Sequence, residues 1–479
     1  MTRKSVSNAT KWSVLAEITA KIAAPIVNMV LARLLTPEAY GVVASITIIT
    51  SFADIFTDAG FQKYIIQREY NSEDELDADS NVAFTANLLL SSTIYVFILL
   101  FRKSLAAAVG NPEAANGLAV AALAVLCTSF SSIVIARFRR DLDFRPLFFV
   151  RLGSSFVPLI ITVPLAFLLR SYWALVIGTV VQQAFIAILV CLLSKYKPKV
   201  YFDLTAFKKM LSFSAWNLCE TLSIWFAGQA NIFIVARVLD TYYLGLYRTG
   251  MTTINSYMAL FTSAITPVLF SSLSRVQNDT DKFMQIFNRF QKLLSLVVIP
   301  MGVGIFIYRQ IAVQILLGST WEEVTDFMGL WALVSSLTIA FSNMASEVYR
   351  SKGMPKISFY IQVAYLAIYI PTIYISAKIG FESLCVVSCM VRLIPVVADL
   401  IVLNCLFKIS IKNVIDNVSY VFFATGIMTL ASWLSHGPTG SVIRQFATII
   451  LCILVYTLII LLNKSNRVMV MSFFGRKDR

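Results

Sequence analysis

The chain has 479 residues, 58% of them apolar and only 14% charged, whereas a soluble globular protein runs at about 45–50% and about 25%. Its 40 Lys and Arg against 26 Asp and Glu give a net charge of +14, but the bases fall in short clusters between long apolar runs, which points to a multi-spanning membrane protein and away from a nucleic-acid binder. The seven cysteines sit in apolar stretches with no CxxC pair, His436 is the single histidine, and there is no GxxxxGK[ST] loop; a disulfide framework, a His-based triad, a multi-histidine metal site and ATP hydrolysis are therefore not expected.

A helix needs about 20 mostly apolar residues to cross the hydrocarbon core. Runs of that kind, closed where charges, Pro, Gly or polar clusters resume, fall in chain order near Lys11–Leu35, Tyr40–Gly60, Ser80–Leu100, Asn116–Ile135, Leu147–Leu169, Tyr172–Leu193 and Phe213–Leu239. They continue near Thr249–Ser271, Phe287–Tyr308, Val324–Ala345, Ile357–Ile375, Leu384–Phe407, Val418–Leu434 and Gln445–Leu462. The expectation is an all-α integral membrane protein of about fourteen transmembrane helices. The first run is not a cleavable signal peptide, because Glu17 and Lys21 interrupt it and it leads into a full span. Starting from a cytoplasmic N-terminus, alternation of sides puts 28 Lys and Arg inside and 9 outside, with Lys21, Arg151 and Arg392 deep in spans. That bias predicts a cytoplasmic C-terminus as well. No loop between the runs has room for a soluble catalytic domain.

The chain repeats itself. Trp12 is followed 21 residues later by Arg33, in Ala32-Arg33-Leu34-Leu35-Thr36-Pro37-Glu38-Ala39-Tyr40-Gly41; Trp216 is followed 21 residues later by Arg237, in Ala236-Arg237-Val238-Leu239-Asp240-Thr241-Tyr242-Tyr243-Leu244-Gly245. The offset of 204 lays helix 7 on helix 1. Two parallel-repeat six-helix lobes follow, residues 1–200 and 201–410, with two additional helices and a basic cytoplasmic tail in 411–479. Two such bundles would enclose a cavity of the alternating-access kind. Glu17 and Asn28, and again Glu220 and Asn231, stand 11 residues apart on one helix face, at an offset of 203.

An ionisable group inside a span is costly unless it meets water or a partner, so each is a functional candidate. Glu17 and Lys21 are one turn apart and can pair; a structural salt bridge and a cavity role stand equally open for them. Asn28 continues their face beyond Pro25. Asp54 and Asp58, also one turn apart, could hold a coupling proton or sodium, although for Asp58, near the interface, a cap or salt bridge is the favoured role. Arg151, Glu220, Arg392 and Asp399 complete the set, the last two placed where they could pair. Lys21, Arg151 and Arg392, with Asn28 and Asn231, are the candidate substrate-binding residues; Glu17, Asp54, Asp58, Glu220 and Asp399 are the candidate ion-coupling residues. No catalytic residue, metal site or cofactor is expected. Arg33 and Arg237 read as scaffold pins, and Arg137–Pro146 as a charged cytoplasmic hairpin rather than a metal-binding Asp141-x-Asp143 pair.

Several of these segments together resemble a known family. They are Lys11-Trp12-Ser13, the Leu31–Gly41 block, Asp58-Ala59-Gly60-Phe61 with Ile65-Ile66-Gln67-Arg68, Phe144-Arg145-Pro146, Phe270 with Ser274-Arg275-Val276-Gln277-Asn278-Asp279, and Leu317-Gly318 with Trp321. The combination is similar to the bacterial polysaccharide exporters of the multidrug/oligosaccharidyl-lipid/polysaccharide superfamily, especially the O-antigen and colanic-acid flippase branch, over nearly the whole chain. The resemblance implies a two-lobed, fourteen-helix flippase in the inner membrane. It implies undecaprenyl-pyrophosphate-linked oligosaccharide as cargo, dependence on a proton or sodium gradient, a cationic cavity, and membrane lipids, a polysaccharide polymerase and chain-length machinery as partners, with no nucleic acid. An ion-coupled drug or metabolite antiporter of the same superfamily is the alternative, and a membrane polymerase or glycosyltransferase is disfavoured by the short loops.

Overall fold

The computed structural model describes residues 23–58, 61–435, 441–463 and 466–467, and within the helices leaves out the side chains of residues 58, 212–217, 219, 220, 223, 224, 227, 264, 267 and 355. Every regular element among the described residues is a helix. Among the described residues eleven helices are long and apolar enough to cross a membrane, and a twelfth if the bent pair Thr241–Ser263 and Val268–Arg275 is one span. The first expected span is described only as α1, Ala23–Leu34, and the seventh lies in the long α10, Leu204–Val238. The expectation of about fourteen spans is consistent with this. The chain separates into two compact units, Met1–Thr249 and Gly250–Arg479.

The first unit begins with α1, α2 (Pro37–Asp58) and the short α3 (Phe61–Gln67). The 36-residue α4 (Glu73–Ala108) follows, then α5 (Ala115–Ala121) running into α6 (Leu123–Arg140). Helix α7 (Phe144–Val157) continues through a π-turn, Pro158–Thr162, into α8 (Val163–Leu169); α9 (Trp173–Leu193), α10 and the first turns of α11 (Thr241–Arg275) complete it. Pro158 supplies no N–H to the preceding turn, which is where the α-helical ladder widens. Interior side chains such as Ile65, Val125, Ile133 and Val190 are buried, while Leu100, Leu168 and Leu192 are at least 70% exposed. That outward hydrocarbon is the reason for the composition: lipid, not water, is the solvent of these faces.

The repeated block is visible in the packing. A Cβ on Gly41 would lie 1.8 Å from the carbonyl oxygen of Thr241, and a Cβ on Gly245 would lie 1.8 Å from that of Pro37. Residues 37 and 241, like 41 and 245, are counterparts at the offset of 204, so each copy of the block presses its glycine onto the helix start of the other. Arg248 crosses the same junction, its Nη1 donating to the Ala44 carbonyl at 2.9 Å, and Ala44 is the counterpart of Arg248. Only glycine lets two backbones approach this closely. Arg237 donates to the Ala107 carbonyl at 3.1 Å.

The second unit takes the rest of α11 and α12 (Thr280–Ile307), α13 (Arg309–Leu316) and α14 (Thr325–Thr338). A second π-turn, Ile339–Asn343, leads into α15 (Met344–Ser351), followed by α16 (Pro355–Ile379), α17 (Phe381–Val391), α18 (Leu393–Phe407), α19 (Ile411–Leu434) and α20 (Val442–Leu462). The helix predicted as Leu384–Phe407 is interrupted at Arg392, between α17 and α18. Helix α12 packs against both α14 and α19, and α19 against α20.

Candidate functional site

Four places in the structure concern the charges singled out by the sequence. In the second unit, Arg392 stands at the break between α17 and α18, half-buried, with its Cζ 3.8 Å from the centre of the Trp331 ring and its Nη1 donating to Ser335 Oγ at 3.0 Å. Trp331 Nε1 in turn donates to Asn255 Oδ1 at 3.1 Å. Trp331 and Ser335 are one turn apart on α14, so they form a platform and a latch for one guanidinium. A guanidinium stacked on indole keeps its donors in a fixed plane, the geometry suited to the oxygens of a phosphate or carboxylate.

Asp399, only 3% exposed on α18, does not take its hydrogen bonds from Arg392. Ser342 Oγ, in the π-turn, and the Tyr349 hydroxyl, at 2.9 Å, donate to its carboxylate. In the first unit Asp54 is half-buried on α2, and its Oδ1 is enclosed with no hydrogen-bond partner among the described residues. One turn away in the same helix, Ser51 Oγ accepts from Trp225 Nε1 at 3.0 Å. Arg151 is exposed on α7 and shares a small pocket with Arg139. Asn28 is exposed on α1 and Asn231 is buried on α10. Glu17 and Lys21 lie outside the described residues, as do the side chains of Asp58 and Glu220. Among the described residues no group of three or more His, Cys, Asp or Glu could hold a metal ion.

One hollow was not foreseen. A cavity of about 790 Å³ lies in the second unit against α12, α13, α19 and α20, lined by Leu296, Pro300, Tyr308, Met428, Cys452 and Tyr456 among others. Its polar groups are turned to protein: Ser432 Oγ donates to the Tyr308 hydroxyl at 2.8 Å, and the Tyr456 hydroxyl donates to the Leu296 carbonyl at 2.8 Å. What remains is an almost wholly apolar surface with the capacity of a lipid or drug-sized ligand site. No local pattern marks it, because its walls come from helices more than a hundred residues apart.

The hairpin between α6 and α7 is a dense ionic structure, as its charges suggested. Arg137 pairs with Asp77 at 2.6 Å and Glu73 at 3.3 Å, and Arg68 with Glu75 at 2.6 Å and with Asp79. Arg140 donates to the carbonyls of Ile65 and Arg68 at the end of α3. Burial raises the Asp141 carboxyl above its usual range, against the lowering influence of Arg137. These acids are engaged by arginines of the protein, which makes the hairpin a brace for the α3–α4 corner.

Comparison with known proteins places the chain. It belongs to the family of polysaccharide biosynthesis proteins, which it matches over residues 30–326. It is 23% identical over 380 residues to the lipopolysaccharide biosynthesis protein WzxC of Escherichia coli (strain K12), covering 79% of this chain and 76% of that one. To the succinoglycan biosynthesis transport protein ExoT of Rhizobium meliloti (strain 1021) it is 25% identical over 336 residues, 69% of this chain and 66% of that one. The structure of the lipid II flippase MurJ in an inward closed conformation has the same fold, with a TM-score of 0.75 at 15% identity, covering 97% of this chain and 99% of that one. The fold is thus that of an all-helical, multi-pass membrane protein.

Proposed function

We propose that the protein is a flippase of the bacterial inner membrane that carries undecaprenyl-pyrophosphate-linked oligosaccharide units from the cytoplasmic to the periplasmic face by alternating access, with both termini cytoplasmic and no covalent step of its own. The observation that carries this reading is the apolar cavity of about 790 Å³ in a member of a polysaccharide biosynthesis family. A carrier of free sugars has no use for such a surface, whereas a carrier of sugars on a polyprenyl tail must accommodate hydrocarbon beside a pyrophosphate. The cavity seats the first isoprene units while the rest of the tail stays in lipid. Keeping the pyrophosphate on polar groups avoids its transfer into hydrocarbon, which is prohibitive for an unpaired charge.

Lys21, Arg151 and Arg392, with Asn28 and Asn231, are assigned to the pyrophosphate and sugars. Arg392 has the strongest support, because its guanidinium is held in plane by Trp331 and Ser335. Glu17, Asp54, Asp58, Glu220 and Asp399 are assigned to coupling with a proton or sodium gradient. Asp54, with an enclosed and unsatisfied carboxylate oxygen, and Asp399, held by two hydroxyl donors, are the two whose surroundings suit a carboxyl that gains and loses a proton. The polymerase and chain-length machinery are the partners that would receive the cargo. Deletion of the gene in a strain without relatives should leave unpolymerised lipid-linked units on the cytoplasmic face; normal surface polysaccharide in that strain would refute the proposal. Altered sensitivity to small cationic drugs, with polysaccharide unaffected, would instead favour an antiporter.

A further inference from the structure

The pocket beside the α6–α7 hairpin joins two guanidiniums to a hydrocarbon wall. Arg139, in the last turn of α6, and Arg151, two turns into α7, line a cavity of about 200 Å³ with Ser154. Ile135, Leu147 and Ile186 stand on its apolar side. The polar side is built on ordered supports: Arg139 Nη1 donates to Gln62 Oε1 at 3.2 Å, and Gln62 Nε2 donates to Ser132 Oγ at 3.1 Å. Ser154 Oγ donates to the Arg151 carbonyl at 2.9 Å, and Gln182 Nε2 donates to the Ser154 carbonyl at 2.9 Å. Forked guanidinium donors match phosphate oxygens, and basic pockets between membrane helices near the cytoplasmic surface accept lipid headgroups. Apolar side chains in the same small space suit the first carbons of a chain esterified to that phosphate.

We propose that Arg139, Arg151 and Ser154 form a binding site for a phosphate carried on a lipid chain, the chain leaving along Ile135, Leu147 and Ile186. The inference rests on the reading of Arg151 as a substrate-binding residue and adds Arg139 and Ser154 to it. Two sources have this chemistry: the prenyl pyrophosphate of the cargo and the phosphodiester of a bilayer lipid.

The test uses the full-length protein in phosphatidylcholine nanodiscs, with farnesyl pyrophosphate as the probe. Inorganic pyrophosphate is a second probe, and phosphatidylglycerol in the disc is a competitor. Arg139→Gln and Arg151→Gln should each weaken farnesyl pyrophosphate binding about tenfold or more, and inorganic pyrophosphate should bind more weakly than the prenyl compound. Displacement by phosphatidylglycerol assigns the site to bilayer lipid, and its failure to displace assigns the site to the cargo. Unchanged binding in both variants at a wild-type unfolding temperature overturns the proposal, as does inorganic pyrophosphate binding as tightly as the prenyl probe. Should the Gln variants not fold, Ser154→Asp, which keeps both arginines and adds a like charge to the ligand's, should weaken binding, and unchanged affinity there overturns the site equally. Flipping is measured separately. A variant that loses the probe yet transports normally retains the phosphate site and removes Arg151 from the transport path, whereas full flipping by an Arg392→Gln protein that still binds the probe counts against the cationic-cavity reading alone.

Discussion

At the scale of single residues, Arg392 shows what a half-buried cation needs in a membrane protein. Its ring contact of 3.8 Å with Trp331 and its bond to Ser335 compensate for lost hydration. A cation over indole is worth about 0.5–2 kcal/mol, so Trp331→Leu should lower transport by several-fold, with membrane insertion unchanged, and Trp331→Phe should recover part of it. Arg392→Gln should lower transport further; wild-type flipping in reconstituted vesicles by both Arg392→Gln and Trp331→Leu would return the pair to scaffold. Asp399→Asn keeps a hydrogen-bond acceptor for Ser342 and Tyr349 but cannot titrate. The variant should insert and fold normally yet lose the dependence of transport on the ion gradient, and gradient-driven transport at the wild-type level would remove Asp399 from the coupling. The candidate charges themselves were legible in the sequence because an ionisable residue in a twenty-residue apolar run is conspicuous. Their partners were not: Trp331, Ser335, Ser342 and Tyr349 are unremarkable in their own helices and lie 50 or more residues from the charges they serve.

At the scale of helices, the close approach of α2 and α11 depends on Gly41 and Gly245. A methyl group at either position would meet a backbone carbonyl at 1.8 Å, and backbone cannot move aside as a side chain can. Gly41→Ala and Gly245→Ala should each destabilise the protein by about 1–3 kcal/mol, seen as a lower unfolding midpoint in detergent. Gly426→Ala, where nothing lies within 4 Å of the added carbon, should leave the midpoint unchanged, and equal midpoints for all three would show that the crossing yields at little cost. The repeat could be read from the sequence as a recurring spacing, but not that its two glycines meet. The apolar cavity makes a second case. Gly304 lines it, and a Cβ there meets nothing within 4 Å, so Gly304→Phe should fill part of the space without straining α12. Transport of lipid-linked cargo should fall several-fold at unchanged stability, because part of the roughly 300–1,000 Å³ of a ligand-sized site is lost. Unimpaired transport with the ring in place would mean that the tail does not use this cavity.

At the scale of the whole molecule, the apolar content and the spacing of the charges were enough to establish an all-helical membrane protein, because a chain crossing lipid must satisfy its backbone internally and can do so helix by helix, each span announcing itself by length and hydropathy alone. The recurring Trp, Ala-Arg and Gly landmarks were likewise written in the chain, at a constant offset of 204. What only the tertiary structure decided was which of those helices touch and through which side chains: the glycine crossing of α2 and α11, the seat of Arg392 on Trp331, the hydroxyl donors to Asp399, and the hollow against α12, α19 and α20. In lipid, apolar helix faces gain little by choosing one neighbour over another, so helix association is set by close packing and a few polar contacts between residues far apart in the chain, and such contacts leave no periodic trace within any one segment.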